Sequence, residues 1–146
     1  MKCERRKYRS EDKAFLDPRH IFLDTALESI DSLERLKHSF IETVTINGRP
    51  VAIFGLLIQW RGVATAWSVT DDRIEDAPKD FHKVVLEMIE EYTRVFHIWR
   101  LQFNVVANYR QGVKWAEALG FENEGLMRKF DPKGRDYYRF ARVRNV

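Results

Sequence analysis

The dipeptide Asn47-Gly48, set inside ETVTINGRPVAIFGLLIQWRGVATAWSV, constrains this chain more than any other feature. The tightest hairpin turn needs positive φ at both central residues, and Asn-Gly meets that need best. Apolar and β-branched residues flank it on both sides, so two antiparallel strands follow. Gln59-Trp60-Arg61-Gly62 marks a second turn, and the three runs read as a meander with strands at roughly 41–46, 50–58 and 63–70. Pro50 suits the first residue of its strand, where no ladder hydrogen bond is lost.

Beyond the meander the period changes. Pro78 fits the first position of a helix. Phe81, Val84, Val85, Met88, Ile89, Tyr92, Val95 and Phe96 then recur at helical spacing. WRLQFNVVA at 99–107 alternates as a strand does. YRQGVKWAEALGF reads as a short helix closed by Gly120. GLMRKF and RDYYRFARV flank the turn Asp131-Pro132-Lys133-Gly134 and form a final hairpin, with Tyr137 and Tyr138 on opposite faces, one buried and one exposed. Upstream of the meander, Ser10-Glu11-Asp12 is a helix-start pattern. Ile21, Leu23, Leu27, Ile30, Leu33 and Leu36 follow at near-helical spacing, broken into short helices around Pro18 and Asp31-Ser32.

The order of elements is therefore α+β, and 146 residues suit a single domain over 1–146. A connection from strand 63–70 through the long helix to strand 99–107 implies a parallel pair joined by a right-handed crossover. Ligands of such sheets sit beyond the carboxyl ends of the strands, which places residues 70–78 and 107–112 around one crevice.

Composition removes several classes of function. The single cysteine, Cys3, rules out an internal disulfide framework and suits a reducing compartment. No run approaches the roughly 18 apolar residues of a membrane span, and the basic start MKCERRKYR has no apolar segment after it. A cytoplasmic protein without a membrane partner is the expectation. The histidines His20, His38, His82 and His97 show no ligand spacing, so no metal is expected, and no Ser-His-Asp order, CxxC pair or Walker loop is present. Trp60, Trp99 and Trp115 are expected to pack the core. A net charge of +3 admits an anionic ligand without demanding one. Lys2, Arg5, Arg6, Lys7 and Arg9 could contact nucleic-acid phosphates, but such a run is more often a solvated terminus, and nucleic acid is disfavoured as a partner.

SVTDDRIEDAPKDFHKVV, residues 68 to 85, holds the least expected chemistry. A strand-to-helix junction offers free N–H groups and the positive end of a helix dipole to an anion. Here Asp71, Asp72, Glu75 and Asp76 crowd it. Either the acids cap the helix, through Asp76 or Ala77, or an anion cradle has been given up.

The order of elements and several stretches resemble the GNAT N-acetyltransferase superfamily over about Tyr8 to Val143. YRSED resembles its opening strand and helix start, NGRPVAIFGL its second and third strands, and Asn108, Gly112 and Leu119-Gly120-Phe121 its closing motif. WSVTDDRI, NVVANYRQGVKWAEALGF and EGLMRKFDPKGRDYYRFARV are most similar to the small GNAT-like proteins of tailed phages and prophages. The resemblance implies a mixed central sheet with an antiparallel meander, a crossover helix, a splayed parallel pair and a C-terminal hairpin, flanked by helices. It implies acetyl-CoA as cosubstrate and an amine as acceptor, with a virion-associated location if the chain is phage-encoded.

Carried onto this sequence, Ser68, Val69 and Thr70 would bind the pantetheine and Asn108 would contact the cofactor from the second strand. Tyr109 would be the catalytic acid that protonates the departing thiolate, and the backbone at Val69 would polarise the carbonyl. The sequence departs from the family where R/Q-x-x-G-x-G/A is replaced by Arg73-Ile74-Glu75-Asp76-Ala77-Pro78, and where the usual tyrosine is Ala116. The pyrophosphate would then need cations: Arg73, Lys79 and Lys83 on one side, Arg110 and Lys114 on the other. Gln102 and Asn104 cannot titrate usefully, so the base would be water or an acid of the early helices. Two readings follow: an acetyltransferase, or a GNAT-fold protein without catalysis kept for a structural or regulatory role. Exposed sheet edges permit a homodimer.

Overall fold

A computed structural model describes residues 2–16 and 39–144. The apolar positions from Ile21 to Leu36, with Pro18, His20 and His38, lie outside the described residues.

The described chain builds one mixed sheet of seven strands in the order β1-β2-β3-β4-β5-β7-β6. These are β1 Cys3–Lys7, β2 Ser39–Ile46, β3 Arg49–Trp60, β4 Val63–Thr70, β5 Arg100–Val106, β6 Glu122–Met127 and β7 Tyr137–Val143. Two α-helices complete it, α1 Pro78–Val95 and α2 Arg110–Ala118.

The meander forms as read, with longer strands. Asn47 and Gly48 take φ of 51° and 84°, and Ile46 pairs with Arg49 across the two-residue turn. Pro50 is the second residue of β3 and falls at a bulge, where the β2 partner shifts between Val44 and Thr45. The bulge accommodates a residue that has no N–H to donate. The second turn tightens to Arg61-Gly62, so Trp60 ends β3.

α1 buries Phe81, Val84, Val85, Met88, Ile89 and Thr93 against one face of the sheet, meeting Val44, Ala52, Leu56, Leu101 and Phe140. Val95, expected on that face, is exposed at the helix end. α2 closes as a glycine-terminated helix does, with Phe121 N–H bonding the Ala116 carbonyl and Gly120 N–H that of Glu117. A second apolar cluster, Tyr8, Leu16, Ile41, Ile53 and Val69, lies apart from the first, with Trp67 partly buried against it.

Several expectations are corrected. The basic start is no solvated arm: it is edge strand β1, paired antiparallel with β2. Arg5 grips Glu42 through both Nε and Nη2 and also bonds Glu91 of α1, while Arg6 grips Asp12 through both Nη atoms. The Ser10-Glu11-Asp12 start leads into a 3-10 turn, Ser10–Phe15, held by Asp12 rather than Ser10: Asp12 accepts from the Arg9 N–H at 2.9 Å and from the Thr43 hydroxyl at 2.7 Å. Trp60 is exposed, because β3 carries it past the end of the core. In the final hairpin β6 begins at Glu122 and ends at Met127, so Arg128 to Phe130 already belong to the turn. Tyr137 is buried, and Tyr138 is half-buried against the first cluster rather than exposed.

Candidate functional site

The parallel pair decides where a ligand can enter. β4 and β5 are in register only over Val63↔Arg100, Ala64↔Leu101 and Thr65↔Gln102. Beyond Thr65 the strands diverge, so the facing edges of Ala66–Val69 and Phe103–Val106 carry backbone groups that pair with no strand across the gap. Unpaired backbone groups seek water or a ligand. β5 keeps β7 on its other side, and β4 keeps β3, so each strand stays rigid while the gap stays open.

A crevice of about 1000 Å³ opens between them, at the upper end of ligand-pocket volumes. Thr65, Trp67, Ser68 and Thr70 line it from β4, Phe103 and Asn104 from β5. Phe81 and Trp115 stack at 5.6 Å between ring centres on the helix side. Phe130, Asp131, Pro132 and Tyr137 of the last hairpin form the opposite wall. The lining residues from Thr70 to Pro78 and from Tyr109 to Trp115 include Asp71, Asp72, Glu75 and Lys114.

The acidic junction divides by role. Asp71 is buried and caps the 3-10 turn Asp72–Asp76, accepting from the Arg73 N–H at 2.9 Å. Arg73 folds back on the same carboxylate through Nε at 2.8 Å and reaches the Phe15 carbonyl at 2.6 Å. Ala77 is the N-cap of α1, with no side-chain cap bond, and Asp76 does not cap it. Asp72 and Glu75 instead line the crevice, and among the described residues neither has an ion pair.

Tyr109 precedes α2 and is half-buried, its ring lying over Gly112, where an added Cβ would come within 2.7 Å of it. Burial first, and then the Asp72 and Glu75 carboxylates, raise its pKa, so the phenol keeps its proton through neutral pH. The hairpin wall is held by Asp131, which accepts from the backbone of Lys133 and Arg135, from Arg135 Nε at 2.6 Å and from the Tyr137 hydroxyl at 2.9 Å. Burial would raise the Asp131 pKa, but these bonds outweigh it and take it down to about 2. Burial and the same carboxylate push Tyr137 up to about 12.

Of the residues singled out by sequence, Ser68, Thr70, Tyr109 and Lys114 line the crevice together. Val69 packs into the second apolar cluster, on the same face of β4 as Thr65 and Trp67, and does not line the crevice. Arg73 is spent on Asp71, and Lys79, Lys83, Asn108 and Arg110 are exposed and do not line it. Among the described residues Lys114 is the one lysine or arginine that does. Nothing in the spacing of Thr65, Phe103 or Trp115 marks them as crevice wall. Among the described residues no group of His, Cys, Asp and Glu could hold a metal, and no helix is long and apolar enough to cross a membrane.

No family model matches the chain, and no curated relative does either. Solved structures do. A chimera of the Vibrio cholerae spermidine N-acetyltransferase SpeG and hSSAT is similar with a TM-score of 0.74 and 10% identity, over 97% of this chain and 95% of that one. An acetyltransferase of the GNAT family from Streptococcus pneumoniae is similar with a TM-score of 0.68 and 15% identity, over 99% and 100%. The ribosomal-protein-S5-alanine acetyltransferase from Vibrio fischeri gives 0.70 and 14%, over 97% and 92%. This chain has the GNAT fold. At such identities the likeness is one of fold.

The fit of acetyl-CoA to this GNAT-fold crevice is uneven. The open β4 and β5 edges and the aromatic lining suit a pantetheine arm. The junction does not form an amide cradle for pyrophosphate: Pro78 has no N–H, Asp71 occupies the Arg73 N–H, and Asp72 and Glu75 oppose an anion.

Proposed function

We propose that the protein transfers an acetyl group from acetyl-CoA to an amine. The observation that carries this reading is the divergence of β4 and β5 beyond Thr65, which leaves an extended slot edged by backbone groups with no strand across it and a protonated tyrosine in its lining. Ser68 and Thr70 would hold the arm, with Lys114 the cation nearest the phosphates. Acyl transfer asks little more than an oriented thioester, a neutral amine and a proton for the leaving sulfur. The amine nitrogen attacks the carbonyl carbon and the C–S bond breaks. Tyr109 gives its proton to the departing sulfur, and the proton that the amine loses leaves through water and restores the phenol.

The acceptor is proposed only as an amine. Spermidine is the first to try, because structures similar in fold include a spermidine N-acetyltransferase. A second reading, a GNAT-fold protein without turnover serving a structural or regulatory role in a phage or prophage, is favoured by Asp72 and Glu75 at the place of a phosphate cradle.

Calorimetric titration with acetyl-CoA and with dephospho-CoA decides between them. Binding of acetyl-CoA, weakened several-fold in Lys114→Glu, together with release of free thiol when spermidine or polylysine is added, supports transfer. Binding without thiol release for any amine favours the second reading. No heat and no thermal shift with either nucleotide overturns the donor assignment.

A further inference from the structure

The narrow end of the crevice holds a chain of side chains whose hydrogen bonds can be followed atom by atom. Gln102, at the last position where β5 is in register with β4, is buried at 8% exposure. Its Oε1 accepts from Arg100 Nε at 2.8 Å. A guanidinium N–H can only donate, so this bond fixes which end of the amide is oxygen. The Nε2 group must then face away, and it donates to Gln59 Oε1 at 3.1 Å and to Thr65 Oγ1 at 3.2 Å. Arg100 is itself held by both carboxylate oxygens of Glu124 on β6. Residues of β3, β4 and β5 thus meet at one amide, and β6 reaches it through Arg100.

Thr65 is the end of that chain, and it lines the crevice. Its oxygen already accepts from Gln102, so its hydroxyl has a proton to give, and among the described residues that proton finds no protein acceptor. A hydroxyl that accepts a hydrogen bond becomes a better donor, because each bond polarises the next. The position also matters. β4 enters the crevice at Thr65 and leaves it at the acidic junction after Thr70, so a ligand whose phosphates lie toward Lys114 has its other end at Thr65.

On the proposed donor reading, we propose that Thr65 is a ligand-contacting residue that donates its hydroxyl hydrogen bond to the acetyl carbonyl oxygen of the bound thioester, in place of the Val69 backbone expected from the resemblance, with Gln102 and Arg100 as positioning residues behind it. The bond strengthens as the carbonyl oxygen gains charge during attack. No covalent step is involved. It requires a carbonyl, so it distinguishes acetyl-CoA from CoA, which ends in a bare thiol.

The test compares the two ligands on the full chain. Wild type, Thr65→Val and Thr65→Ser are titrated with acetyl-CoA and with CoA, and each variant's melting temperature is recorded. Thr65→Val keeps the shape and removes the donor, and Thr65→Ser keeps the donor. The expected result is an acetyl-CoA affinity loss of roughly three- to tenfold in Thr65→Val, the size of one hydrogen bond, with CoA affinity unchanged and Thr65→Ser close to wild type. Equal loss for both ligands, or no loss for either, overturns the assignment while leaving the donor reading in place. A wild type that binds neither ligand overturns the donor reading and this proposal with it. If Thr65→Val does not fold, Gln102→Leu serves instead: it releases the Thr65 hydroxyl and must weaken acetyl-CoA more than CoA for the proposal to stand.

Discussion

Tyr109 shows how one side chain carries both the strength and the weakness of this site. Burial and the facing carboxylates of Asp72 and Glu75 raise its pKa above the ordinary tyrosine value of about 10. A raised phenol stays protonated to higher pH, so any activity resting on its O–H survives neutral conditions and is lost only as pH climbs through the raised value. Tyr109→Phe should lower kcat roughly 100-fold, within the range of a lost general acid, while acetyl-CoA binding by calorimetry stays near wild type. An unchanged kcat removes Tyr109 from the chemistry. Asp72→Asn combined with Glu75→Gln takes away the electrostatic part of the shift but not the burial part. The alkaline limb of the kcat profile should then move to lower pH, and acetyl-CoA should bind roughly two- to fivefold more tightly, a modest gain because exposed charges are screened. Gly55 is constrained by contact instead: a Cβ there would come within 1.9 Å of the Trp67 indole. Gly55→Ala should cost roughly 1–3 kcal/mol of stability by denaturant melt, since a rigid ring on a packed strand cannot swing clear.

At the scale of elements, β1 is where charge replaces hydrophobic pattern. CERRK has no apolar alternation, and its place at the sheet edge depends on Arg5 with Glu42 and Glu91 and on Arg6 with Asp12. Burial pushes the Asp12 pKa up, but Arg6, the Thr43 hydroxyl and the Arg9 N–H outweigh it and hold it below the ordinary value. A depressed carboxylate contributes stability that is fully present above its unfolded pKa of about 4 and is lost as pH falls through the lower folded value. Asp12→Asn should therefore unfold more easily at pH 7, by roughly 1–3 kcal/mol given the part-exposed Arg6, and show a flatter acid limb than wild type. Equal acid limbs would mean that Asp12 is not the group being titrated. The same contrast explains what sequence could reveal. The Asn47-Gly48 meander, α1 and α2 were legible because turn chemistry and apolar period agree there. β1 was not, and β6, ENEGLM, only from Gly125 on, since ion pairs to distant residues and a bulge between Asn123 and Gly125 stand in for a pattern. In the crevice, Tyr109 and Lys114 could be picked out only through the resemblance that places them beside a cofactor. Thr65 and Gln102 are ordinary strand residues until register places them at the point of divergence.

Taken whole, the molecule is two antiparallel sheets, β1-β2-β3-β4 and β5-β7-β6, joined by a short parallel contact and by α1. Every other neighbouring pair of strands is hydrogen-bonded along most of its length, and this one separates after Thr65↔Gln102. Such a seam is the weakest line across the sheet, because backbone groups on its two edges exchange with water instead of with each other. A ligand lying in it replaces that water and bonds both edges at once. Amide hydrogen exchange is the measurement suited to this arrangement. Without ligand, those amides of Ala66–Val69 and Phe103–Val106 that face the gap should exchange faster than those facing β3 and β7 on the same strands. Saturating acetyl-CoA should slow the gap-facing set on both strands together and leave β1 and β2 unchanged. Slowing on β4 alone would place the ligand against one edge and remove the idea that it bridges the halves. Binding detected by heat with no change on either strand would put the ligand outside the seam, and the role assigned to Thr65 would fall with it.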